Sequence, residues 1–89
     1  MTVTTYEQLR EIALDELRGA LERRGLNPAQ LDDGMDLLAA GVIDSFGFID
    51  LVAAMETRSG LGIDLAAVPP ETLTTVRGLV QGFLQGASA

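Results

Sequence analysis

The chain has 89 residues, 13 acidic side chains against six basic ones, all arginine, and a formal net charge of −7; it contains no cysteine, histidine or lysine. That length suits one domain, near the lower limit for a self-sufficient core. The missing residue types exclude disulfides, a thiol nucleophile, thiolate metal sites, a histidine base and a Schiff-base lysine, so catalysis by this chain alone is not expected, and the acidic balance excludes nucleic acid as a partner.

Thr4 with Glu7, and equally Thr5 with Gln8, match the capping box that opens a helix. The helix is predicted to run to about Arg24, with Tyr6, Leu9, Ala13, Leu17, Ala20 and Leu21 along one face and Ile12 and Leu14 widening it. Arg23 and Arg24 complement its negative end, and Gly25 stops it. Residues 25–44 form a long connection, which Leu26, Leu31, Met35, Leu37, Leu38, Val42 and Ile43 are predicted to pin down; Asn27-Pro28 suits a single capped turn. The cluster Asp32-Asp33-Gly34-Met35-Asp36 has carboxylates for a calcium loop but not the spacing, and no glutamate follows at the required distance. No metal site is expected.

A second helix is predicted over Ser45–Ser59, closed by Gly60-Leu61-Gly62. Ile63-Asp64-Leu65 reads as extended, with Ile63 and Leu65 reaching the core. Pro69-Pro70-Glu71 opens a short helix ending near Leu73. Thr74 or Thr75 then caps a last helix in which Val76, Leu79, Val80 and Phe83 recur at helical spacing. Gly78 and Gly82 each cost about 1 kcal/mol relative to alanine inside a helix. Close packing against a neighbour is the favoured reason for them, a mobile wall the alternative. Gly86-Ala87-Ser88-Ala89 is expected to fray.

Around Ser45 the pattern is more specific. Asp44 is a good N-cap, which makes Ser45 the first helical residue, at the positive end of the helix dipole, where an attached or bound phosphate is favoured. At 100° per residue, Phe48, Leu51, Val52 and Met55 form one stripe, and Phe46, Ile49, Asp50 and Ala53 another on nearly the opposite side. In so short a chain only one stripe can face the core; the other is expected to face a partner. Residues 32–64 carry seven acids (Asp32, Asp33, Asp36, Asp44, Asp50, Glu56, Asp64) against Arg58, so the negative field is centred on this helix and would steer basic partners to it. The plainer reading of Ser45 is an ordinary helix-start residue.

Asp44-Ser45-Phe46, preceded by Leu37-Leu38 and Gly41-Val42-Ile43 and followed by Ile49-Asp50-Leu51-Val52, resembles the acyl carrier protein family over roughly residues 5 to 85. The resemblance implies an all-α four-helix bundle of acyl-carrier type, with a long loop between helices 1 and 2 and a short third helix. It implies a single carrier domain over 1–89 with an ordered core of about 5–85. Ser45 would carry covalent 4'-phosphopantetheine, whose thiol holds an acyl or aminoacyl group as a thioester. Asp44, Phe46, Ile49, Asp50, Ala53 and Glu56 would meet partner enzymes. Those partners would be a phosphopantetheinyl transferase, a loading enzyme (an acyltransferase or adenylating ligase), and a ketosynthase or other downstream transfer enzyme. The chain would be a monomer and a substrate, not an enzyme.

Gly47 and Ala53 depart from many fatty-acid carriers, which have an acid and a methionine there. Asp-Ser-Phe-Gly resembles stand-alone aminoacyl carriers, D-alanine carriers among them, and also discrete polyketide carriers, whereas the Gly-Gly-His-Ser-like pattern of peptidyl carriers is absent. A stand-alone carrier of bacterial polyketide or related specialised metabolism is therefore expected. An aminoacyl or peptidyl carrier and a non-covalent helical adaptor remain as alternatives. The first residues show no signal-peptide pattern and no apolar run approaches a membrane span, so a cytoplasmic protein is expected.

Overall fold

A computed structural model of the chain describes residues 5–88. Thr5 and Gln8 form a capping box: Thr5 Oγ1 accepts the Gln8 N–H at 3.2 Å, and Gln8 Oε1 accepts the Thr5 N–H at 3.4 Å. Thr4, the other choice, lies outside the described residues, as does Ala89. The first helix, α1, spans Tyr6–Arg23 and buries Leu9, Ile12, Ala13, Leu17 and Leu21, with Tyr6, Leu14 and Ala20 half-buried beside them.

The long connection is fastened to the bundle throughout. Asn27 caps a single 3-10 turn, Pro28–Gln30, its Oδ1 accepting the Ala29 N–H at 3.0 Å. Leu31, Leu37 and Val42 are buried, and Met35, Leu38 and Ile43 half-buried. Leu26 does not join them and is 40% exposed. Its N–H bonds back to the Leu21 carbonyl at 2.9 Å, which closes the helix end and leaves its side chain on the rim. Further along, the Leu37 N–H donates to the Thr74 carbonyl and the Arg77 N–H to the Asp33 carbonyl, each at 2.9 Å. Asp36 forms an isolated antiparallel bridge with Thr75.

The aspartate cluster serves this fastening. Asp33 accepts the Tyr6 hydroxyl at 2.6 Å and the Arg10 Nε–H at 2.8 and 3.0 Å, tying the connection to α1. Asp32 Oδ1 accepts the Gly34 N–H, and Asp36 Oδ1 the Leu38 and Ala39 N–H groups. Burial by itself would raise the Asp33 pKa; the hydrogen bonds from Tyr6 and Arg10 and the charges of Arg10 and Arg77 together outweigh it and hold the carboxyl below its ordinary range. Asp36 is likewise lowered, chiefly by the Ala39 N–H and the Thr74 hydroxyl. Among the described residues no three acidic or other ligating side chains converge on a metal position.

The second helix, α2, spans Ser45–Ser59 and ends at Gly60, whose φ of +74° is the left-handed conformation glycine adopts freely. Ser59 is buried, and its Oγ accepts the Leu61 N–H at 3.1 Å. The extended reading of residues 63–65 is corrected at Leu65. Asp64 Oδ1 accepts the Ala66 N–H and starts a 3-10 turn, Leu65–Ala67, so Leu65 is 55% exposed while Ile63 is half-buried.

The short α3 spans Pro70–Leu73 and α4 spans Val76–Ser88. Thr75 is the residue that caps α4, its Oγ1 accepting the Gly78 N–H at 2.9 Å. Val76, Leu79, Val80 and Phe83 are completely buried. A side chain on Gly78 would fall on the Thr72 carbonyl, and one on Gly82 would sit 2.8 Å from Ile63 Cγ1, so close packing is the reason for both glycines. Helix α4 continues to Ser88, and Gly86 lies directly against the Gly62 carbonyl. Both α2 and α4 pack on α1, and α3 on α4. No helix among the described residues is long and apolar enough to cross a membrane.

Candidate functional site

Asp44 sets the start of α2. Its backbone is extended, its Oδ1 accepts the Gly47 N–H at 2.7 Å, and its carbonyl accepts the Phe48 N–H at 2.9 Å. Gly47 fits closely under this cap: a Cβ there would lie 3.2 Å from Ile43 Cβ and 3.3 Å from the capping oxygen. The capping oxygen serves the third residue of the helix. The N–H groups of Ser45 and Phe46 have no protein acceptor among the described residues and remain at the positive end of a fifteen-residue helix.

Ser45 is exposed at this mouth. It borders an open cleft whose other walls are Ala20, Arg23 and Arg24 at the end of α1 and Leu38, Gly41, Val42 and Ile43 from the connection. Gly41 has φ +73°, and the Arg24 guanidinium lies across it, its Nη2 3.2 Å from where a Cβ would be. Sequence reasoning assigned Arg23 and Arg24 only to the helix dipole. Nothing in their spacing from Ser45 reveals that the fold brings them to it.

The remaining sequence-predicted residues share α2 with Ser45. Asp44, Phe46, Ile49, Asp50, Ala53 and Glu56 are all exposed, Phe46 at 79% and Ile49 at 62%. On the opposite stripe Leu51 and Met55 are buried and Phe48 and Val52 half-buried. The core therefore takes one side of α2, and two large apolar side chains stand in solvent within a turn of Ser45. Near the other end, Arg58 turns to α1, its Nη1 2.8 Å from Asp15 and 3.3 Å from Glu16. That leaves Asp50 and Glu56 without a cationic partner among the described residues.

The family model described as a phosphopantetheine attachment site matches residues 7–83. The chain belongs to this family. It is a carrier protein of the acyl carrier type, holding 4'-phosphopantetheine covalently on a serine. Nothing among curated proteins or solved structures matches it. The residues around the cleft fit a carrier's group: an exposed hydroxyl and two N–H donors without a protein acceptor among the described residues stand at one helix mouth, and two arginine side chains are among the walls of the cleft it borders. The matched domain is not itself catalytic, and carriers of this family meet a phosphopantetheinyl transferase and acyl-handling enzymes in general.

Proposed function

We propose that Ser45 is the serine that carries 4'-phosphopantetheine, and that this single carrier domain, its core over about residues 5–85, shuttles an acyl or aminoacyl group in trans between biosynthetic enzymes. The observation that carries this reading is the contrast between the two serines inside the matched span. Ser59 is 3% exposed and its oxygen is occupied by the Leu61 N–H, whereas Ser45 is exposed at the start of α2. When attached, the arm supplies a terminal thiol that holds the cargo as a thioester.

The chain's own residues present the hydroxyl and identify the carrier. Asp44 fixes the first turn of α2 and so the position of Ser45 Oγ; a transferase takes its proton, since no histidine is present to do so. Phe46 and Ile49 offer apolar anchors, Asp50 and Glu56 attract basic partners, and Ala53 keeps the face between them low. The Asp-Ser-Phe-Gly sequence, with Gly47 and Ala53, resembles discrete polyketide and stand-alone aminoacyl carriers alike, and a polyketide or related specialised pathway with a ketosynthase or similar acceptor is the reading proposed. Co-expression with a broad-specificity phosphopantetheinyl transferase should raise the intact mass by one phosphopantetheinyl unit, and Ser45→Ala should abolish the gain. A mass gain that survives Ser45→Ala would sink the assignment. A wild-type protein that stays unmodified would sink the carrier reading and favour a non-covalent adaptor.

A further inference from the structure

We propose that Arg23 and Arg24 form a cationic seat for the phosphodiester of the arm, so that its root is held at the cleft and only its distal part swings. This inference rests on Ser45 being the attachment residue. Its starting point is a charge imbalance. Acids outnumber bases 13 to six, so an arginine here ordinarily has a carboxylate within reach. Arg10 pairs with Asp33, Arg18 with Asp15, and Arg58 with Asp15 and Glu16. Arg77 faces the Tyr6–Asp33 pair. Arg23 and Arg24 have no acidic or hydrogen-bonding side-chain partner among the described residues, and both line the cleft that Ser45 borders.

A phosphodiester on Ser45 adds a negative charge beside the Asp44 carboxylate, in a stretch already strongly acidic. The free N–H groups of Ser45 and Phe46 offset part of that repulsion. The guanidinium forks supply the rest, because their planar donors match phosphate oxygens in pairs. The Arg24 guanidinium lies against the bare Gly41, itself a wall of the cleft, with Nη2 3.2 Å from where a Cβ would stand. The two arginines thus contribute an anion seat from α1 to a serine on α2.

The test uses the full-length holo-protein, with intact mass first confirming the arm on Ser45. Failure at that step refutes the attachment reading, and every later result bears on the seat. Phosphorus NMR of the wild type should show a resonance that moves between about 0.05 M and 0.5 M NaCl, as an exposed ionic contact is screened. In the Arg23→Gln/Arg24→Gln double variant the resonance should be insensitive to salt and its line width should fall about twofold as the root of the arm is released. Arg24→Lys should fall between the two, since it keeps charge but not the fork. The Arg23 and Arg24 Nε–H signals of the wild type should also shift on conversion from apo to holo, and this comparison decides the matter if the double variant folds poorly. Unchanged arginine signals, or identical phosphorus spectra for wild type and a folded double variant, would overturn the seat. So would a double variant that is loaded slowly but gives an unaltered holo spectrum, because the arginines would then serve the transferase and not the arm.

Discussion

Helices α2 and α4 are both rich in apolar residues and use them in opposite ways. In α4, Val76, Leu79, Val80 and Phe83 all point inward, Gly78 lets the Thr72 carbonyl come close, and Gly82 makes room for the Ile63 side chain. In α2, only Leu51 and Met55 are fully committed to the core, while Phe46 and Ile49 stand in solvent beside Ser45. One helix holds the bundle together; the other leaves part of its apolar surface in solvent, on the face proposed above for recognition. Exposed aromatic and aliphatic side chains add little to the stability of the free protein, so their position beside Ser45 fits the proposed partner face.

The contrast is open to direct attack. Phe83→Ala should cost about 3–5 kcal/mol, since a large side chain with no exposed surface leaves a cavity that α1 and α4 cannot fill by small shifts. Urea unfolding measures it, and a loss under about 1 kcal/mol would remove α4 from its role as the central packing element. A smaller effect is expected at the seam that holds the long connection. Asp33→Asn should cost about 1–2 kcal/mol at neutral pH, because it removes a charge that accepts from Tyr6 and Arg10. The pH dependence has a definite sign. The folded Asp33 pKa lies below its ordinary value, so its contribution is present at neutral pH and is lost as pH falls below about 4 toward the folded value. The gap between wild type and Asp33→Asn should therefore narrow in acid; a gap that widens would contradict the assigned pairing. The smallest stability effect belongs to α2. Ile49→Glu should change the unfolding free energy by no more than about 0.5 kcal/mol, yet lower the efficiency of loading or transfer by about tenfold. An Ile49→Glu protein that unfolds would place that side chain in the core and erase the contrast.

Much of this was legible in the chain. The helix start at Asp44, the first helix start to within the Thr4–Thr5 choice, the single turn after Asn27, the bounds of α2 and the two stripes of α2 all follow from local capping and from spacing along one helix. Leu26 and Leu65 were misread for a shared reason. Each is a leucine beside an element end, where a backbone or side-chain hydrogen bond turns the chain and rotates the side chain outward, and apolar character does not report that rotation.

Capping and periodicity act between residues a few positions apart, which is why the helices, their inward and outward faces and the serine at the mouth of α2 can be read from the chain. What lies across from that serine depends instead on contacts between distant segments. Arg23 and Arg24 reach the cleft because the folded connection returns the chain to the end of α1, and no interaction between sequence neighbours encodes that approach. The same holds for Asp33, whose partners Tyr6 and Arg10 lie on a different helix and become neighbours only when the core closes.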